Sequence, residues 1–370
     1  MTKAAELAKM GEVLTNSQIG GRRNIVINGA MQVAQRATSA TGLGADGSTY
    51  NTLDRFKNVV GSTAGRFTQT QTADGPSGFA NCLKIDVTTA DTSIGSGEFF
   101  ILGQYFEGQD VQQLKKGTSD AEKVTVSFYV KGNASATYTL ELEDSDNSRL
   151  NSQEFSVTTD WTRVTKTFVA DTTGAFDDDN AVSLRLNIWL HAGSNFTGGT
   201  HTDNVWHTTG NQRVGDNQTS IFDSTDRTFF ITGVQLEVGS VATPFEHRSF
   251  GEELALCQRY FQQWTQEASG FSTNNYAGVA DAIMHGDTYC FVQYVHPVQL
   301  RATPALTFNG NFVANISGSD RAMSTFEANT STPYVTSFYA STPDNNEGGK
   351  VGYMRAANDG DASIFFNSEL

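Results

Sequence analysis

Cysteine, proline and positive charge are all scarce in this chain. The three cysteines, Cys82, Cys257 and Cys290, are odd in number and far apart in 370 residues. They supply neither a CxxC metal motif nor a disulfide framework, so buried thiols are expected. Lys plus Arg is 25 against 40 for Asp plus Glu, a net charge of −15. With no basic run, nucleic acid and anionic membranes are disfavoured as partners. No apolar run reaches the roughly 18 residues of a membrane-spanning helix, and no signal-peptide core opens the chain, so a soluble product of a cytoplasm is expected. GxSxG, HExxH, P-loop and dinucleotide fingerprints are missing, as is any internal repeat. The expectation is a non-enzymatic protein without cofactors.

What is abundant is glycine, 35 residues, and aromatic residues, 25 Phe and 11 Tyr. Together with Thr and Val, these fit β-strands joined by Gly, Asn and Asp turns. In Val124-Thr-Val-Ser-Phe-Tyr-Val130, alternation puts Val124, Val126, Phe128 and Val130 on one face. Strand signals recur at sandwich-like intervals from Asn24 to Gly29 and Met31 to Arg36 through to Thr228–Glu237. Only Glu107 to Leu114 hints at a helical turn, and 38–51 reads as a polar loop.

The stretch from Ile231 to Phe261 organises the rest. It ends one strand near Val238, runs extended through Ala242-Thr-Pro-Phe-Glu246, and then changes period. Ser249-Phe-Gly-Glu252 is a capping box that starts a helix expected over Ser249 to Trp264. Phe250, Leu254, Cys257, Phe261 and Trp264 then fall on one narrow helical seam. Such a seam serves either to pack the helix on its own domain or to join copies of the chain.

The wording Gly233-Val-Gln-Leu-Glu237, Ala242-Thr-Pro-Phe-Glu246 and Glu252-Glu-Leu-Ala-Leu-Cys-Gln-Arg-Tyr260 resembles a junction in bacteriophage tail-fibre and receptor-binding proteins. The opening Asn24 to Gly29 with Gln35-Arg36 and Asp54-Arg55-Phe56, the Arg301-Ala-Thr-Pro304 motif and the closing Asn367-Ser-Glu-Leu370 extend the likeness. The order of elements from Glu107 to Phe168 also resembles the jelly-roll of carbohydrate-binding modules. These resemblances imply a mainly β chain with an N-terminal helical anchor (1–22), a jelly-roll β-sandwich (23–248), a helical neck (249–266) and a C-terminal β-sandwich-like head domain (267–370). They imply a homotrimeric virion tail fibre, made in the host cytoplasm. Its N-terminus would join other tail proteins, and the fibre would bind a host-surface polysaccharide. A structural virion component without a ligand, such as an adaptor, collar or decoration fibre, is the alternative.

For the ligand, the long polar loop 193–219 offers Trp206 as an aromatic platform, with Asn204, Asp203 and His207 beside it. The other reading of this loop, and the blander one, is an interchain contact in an oligomer. No metal site is expected. Asp144-Ser-Asp146-Asn147 starts like a calcium loop, but Arg149 and Phe155 stand where glycine and glutamate are needed. His201 and His207 lack ligand spacing.

Overall fold

The computed structural model describes Lys3 and residues 23–266, 276–343 and 348–370. The anchor expected at 1–22 lies outside the described residues apart from Lys3. The chain divides into two compact units, Met1–Glu253 with Leu370, and Leu254–Glu369.

The first unit contains β1 (Ser39–Leu43), β2 (Gly47–Thr49), β3 (Lys57–Gly61), β4 (Arg66–Thr72), β5 (Cys82–Thr89), β6 (Phe99–Glu107), the single turn α1 (Gly108–Val111), β7 (Val124–Gly132), β8 (Ala136–Asp144), β9 (Arg149–Val157), β10 (Thr162–Phe168), β11 (Val182–Ala192), the turn α2 (Ser194–Thr197) and β12 (Thr228–Val238). They form two six-stranded sheets, ordered β1-β4-β5-β12-β7-β10 and β2-β3-β6-β11-β8-β9. The alternation read in the sequence sets the core. Val124, Val126, Phe128 and Val130 of β7 share one buried cluster with Leu140 and Leu142 of β8 and Leu186 and Ile188 of β11. Phe128 meets Phe155 edge-on at 5.1 Å. Each fully buried side chain of this kind contributes roughly 1.5–3 kcal/mol.

The Asn24 to Gly29 and Met31 to Arg36 runs are not strands. Side chains satisfy much of their backbone: Gln104 accepts from Ile27 N at 2.7 Å and donates to Ile27 O at 2.8 Å, while Ile25 N donates to Leu236 O of β12. Asn28, at φ 61, donates to Val33 O and Asp54 O. Conversely, β1 and β2 occupy part of the expected 38–51 loop. Arg36 Nη1 lies 3.8 Å from Asp54 Oδ1, while Arg55 donates to Tyr105 O at 2.6 Å.

The organising stretch closes this unit. Thr243 N donates to Glu237 at 2.9 Å and Glu246 N to Gln235 at 2.8 Å, so the extended segment covers the outer face of β12. The Glu246 carboxylate accepts from the N–H groups of Arg23 and Asn24, and Arg248 donates to Val26 O. First and last segments of the unit are thereby locked to each other. The capping box forms as read: Glu252 N donates to Ser249 Oγ at 3.3 Å and Ser249 N to Glu252 Oε2 at 3.2 Å.

The helix it starts, α3 (Phe250–Gln258), stops early. Phe261 and Trp264 belong to a strand, β13 (Phe261–Thr265), paired with β21 (Ser363–Asn367). The five seam residues therefore do not share one helix face. Phe-Gln-Gln-Trp-Thr alternates, and pairing all five residues with β21 outweighs continuing a short helix. Phe250 is 58% exposed, whereas Cys257 and Phe261 are buried.

In the second unit, β14 (Gly278–Met284), β15 (Tyr289–Val295), β17 (Phe312–Ile316), β18 (Ser319–Ala328), β19 (Val335–Ser341) and β20 (Val351–Ala356) close into a barrel, and β13, β21 and β16 (Ala305–Asn309) form a separate sheet. The head expected as sandwich-like is thus all β but built around a barrel. Its core gathers Met284, Val292, Phe312, Phe338, Met354 and Phe366. The three cysteines are buried free thiols, and burial pushes Cys82 and Cys290 up to about 11. Among the described residues, no helix is long and apolar enough to cross a membrane.

Candidate functional site

The outer face of the second sheet is built by the residues that alternate against its core. On β11, Leu184, Leu186, Ile188 and Leu190 point inward, which turns Arg185, Asn187 and Trp189 outward. Register carries this pattern sideways: Tyr105↔Arg185↔Glu143 form one cross-strand row, Gly103↔Asn187↔Glu141 the next, and Ile101↔Trp189↔Thr139 the third. Gly103 matters here for its missing side chain. A Cβ would lie 3.0 Å from Asn187 Oδ1 and 3.2 Å from the Tyr105 ring, so glycine lets both settle onto the sheet.

Charge on this face is organised around Arg213, which comes from the 193–219 loop. Its guanidinium donates to both oxygens of buried Glu141 at 2.8 and 2.6 Å and to Glu143 at 2.7 Å. It also lies 5.0 Å from the centre of the Trp189 ring. Burial disfavours the cation, but the two carboxylates prevail and raise the Arg213 pKa. Arg185 donates to Glu143 at 2.9 Å and lies 5.0 Å from the Tyr105 ring. Burial pushes the Tyr105 hydroxyl up to about 12.

Three successive outward residues of β11 keep a buried polar atom with no partner from the protein: Arg185 Nε, Asn187 Oδ1 and Trp189 Nε1. Buried polar groups are nearly always satisfied, so two donors and an acceptor in one line mark places for enclosed water beneath the strap.

The 193–219 loop is a strap fastened to this sheet. Leu150 and His207 exchange backbone hydrogen bonds of 2.8 and 2.9 Å, Asn204 N donates to Ser152 O, and Thr219 N to Thr137 O. Phe196 and Val214 pack with Ile101 and Trp189, leaving Trp189 only 1% exposed. Trp206, Asn204, Asp203 and His207 are brought together at the β9 edge, where their polar groups hold the strap. Trp206 is half-buried and donates to Val169 O at 2.8 Å. Asn204, at φ 61, accepts from Val169 N at 2.9 Å. Asp203 accepts from Glu154 N at 3.2 Å, and His207 Nδ1 accepts from Thr209 N at 3.1 Å. Burial lowers the His207 pKa.

The rejected calcium loop has a clear structural use. Asp144 receives the buried Lys116 ammonium at 2.5 Å, and Asp171 receives it at 3.1 Å. A lysine thus supplies the positive charge beside these carboxylates.

Sequence reasoning missed the Tyr105, Glu141, Glu143, Arg185, Asn187, Trp189 and Arg213 set. The signal for β11 and β8 was present, since charged and aromatic residues alternate with Leu and Ile there. Arg213 had none, because only the folded strap brings it to Glu141.

No family model matches the chain, and no curated protein matches it. Among solved structures, a CBM4 structure aligns with 57% of this chain and 97% of its own length, at 12% identity and a TM-score of 0.30. The CBM22-1 xylan-binding domain of Paenibacillus barcinonensis Xyn10C aligns with 60% and 99%, at 12% identity and 0.29. The enzymatically active domain of bacteriophage CBA120 tailspike protein 4 aligns with 58% and 21%, at 11% identity and 0.27. The fold and the site rest on the strand pairing and side-chain geometry above, which describe a mainly β chain whose first unit is a two-sheet sandwich.

Proposed function

We propose that this chain is a bacteriophage tail-fibre protein that binds a host-surface glycan on the outer face of the β2-β3-β6-β11-β8-β9 sheet. The observation that carries the reading is the part-exposed Arg185 guanidinium, paired with Glu143 and set beside the Tyr105 ring; Asn187 and Trp189 lie beneath the strap, each 1% exposed. Sugar hydroxyls both donate and accept, and an aromatic ring beside them supplies the apolar contact. Binding occurs without hydrolysis: Glu141 and Glu143 already accept from arginine, which leaves neither poised as the acid of a glycosidase pair. The virion setting, attachment to other tail proteins through the N-terminal segment and the homotrimer belong to the same proposal. They rest on the junction, opening and closing motifs.

The test is adhesion of fluorescently labelled full-length protein to host cells, with and without excess soluble surface polysaccharide. Binding that polysaccharide displaces, and that Arg185→Ala weakens at least tenfold with an unchanged circular dichroism spectrum, is the expected result. An assembled, folded protein that does not adhere would instead identify a structural virion component.

A further inference from the structure

A second cluster lies away from this polar line. Asp91 sits in the connection between β5 and β6, Glu98 immediately precedes β6, and His191 lies on β11 just past a register shift. One ligand atom from each of the three lies within 4.8 Å of the others. They converge from three segments that the sandwich brings together, which no sequence spacing foretells.

Each of the buried pair is held from behind. Thr63 Oγ1 and Ala64 N both donate to Asp91 Oδ2, at 2.8 and 2.7 Å. The His191 Nδ1 atom meets Ser220 Oγ at 2.8 Å, and its ring is fixed edge-on to Phe222 at 5.3 Å. Asp91 N donates to Phe222 O at 2.8 Å, which ties the same frame to the acid. His191 Nε2 faces the Glu98 carboxylate, 3.3 Å away. An imidazole anchored through Nδ1 presents Nε2 as its ligand atom, and Glu98 lies where it can share an ion with it.

We propose that Asp91, Glu98 and His191 form a binding site for a divalent transition-metal ion, of which zinc fits this donor set best. One imidazole and two carboxylates are an N/O set of the kind zinc accepts, whereas calcium prefers six or more oxygens. Tetrahedral coordination at about 2.1 Å requires donors roughly 3.4 Å apart, a small contraction of the present cluster. The Glu98 side chain is 13% exposed, which leaves one side for entry and for a water ligand. The ion would pin the β5–β6 connection to β11 and stabilise the sandwich by mass action.

The experiment is isothermal titration of EDTA-treated, dialysed full-length protein with zinc, manganese and calcium ions separately. The expected result is one zinc per chain, weaker manganese binding, and calcium binding weaker still. Glu98→Gln, at the accessible rim, should weaken zinc at least about tenfold, and His191→Ala should abolish it. A folded wild-type protein that takes up no zinc overturns the proposal, and shows the Nε2 proton engaged in an ordinary hydrogen bond to Glu98. Zinc binding that survives unchanged in Glu98→Gln also overturns it, whatever the fate of His191→Ala, by placing the ion elsewhere.

Discussion

Replacing Arg213 with alanine tests the organisation of the outer face most directly. The wild-type guanidinium holds Glu141 with two hydrogen bonds and Glu143 with a third, and the Glu141 side chain has no solvent exposure. Removing one partner of a buried pair costs roughly 3–5 kcal/mol, because the surviving charge keeps its desolvation penalty. Asn187 still donates to Glu141 at 3.0 Å, so the lower end, about 3 kcal/mol, is expected. For a domain of this size, 1 kcal/mol moves the melting temperature by roughly 2–4 °C, giving a fall of about 6–12 °C. Differential scanning calorimetry would follow the sandwich transition, with Arg213→Ala/Glu141→Gln as the control. The double variant should recover about half of the loss or more, because no uncompensated charge remains. A fall below about 2 °C for Arg213→Ala would refute the reasoning, and would mean that the strap leaves Glu141 open to water.

Two further outcomes concern the second unit. His296 is buried between Gln262 and Thr336, at 2.9 and 2.8 Å, and burial lowers its pKa to about 4. The unfolded chain binds this proton near the ordinary histidine value of about 6.5, so stability is full above that and falls as pH drops toward 4, by up to about 3 kcal/mol. Urea titrations of wild type and His296→Gln between pH 7 and 4 check this: the wild-type slope should exceed the variant's across that window. Phe261→Asp should unfold the β13-β21-β16 sheet rather than merely separate subunits, since it places a carboxylate where Phe261 is 2% exposed and 5.7 Å from Phe365. A loss above about 4 kcal/mol by denaturation is expected; a fully stable monomer would instead restore the seam to a role between chains.

Alternation was enough to read β7 and its inward face, because a residue's side of a regular strand depends only on its parity; in β12 a register shift between Thr232 and Gln235 moves the inward set from Phe229 and Ile231 to Val234 and Leu236. The capping box at Ser249 was equally local: donor and acceptor are three residues apart, and a helix start needs nothing more. The end of that helix was not local. Phe261 and Trp264 fit a helical stripe as well as a strand, and the choice was made by β21, about a hundred residues downstream, which offers backbone partners to all five residues of β13. Asn24 to Gly29 failed in the opposite sense, as Gln104 and Asn28 supply hydrogen bonds that a neighbouring strand would have given. The sites divide in the same way. Strand parity placed Arg185, Asn187 and Trp189 on one face, while Arg213, the strap that delivers it and the Asp91, Glu98 and His191 cluster exist only through tertiary contact. Hydrophobic pattern therefore determined which side of each strand is core; long-range pairing, which no local period encodes, decided which polar groups meet on the other side.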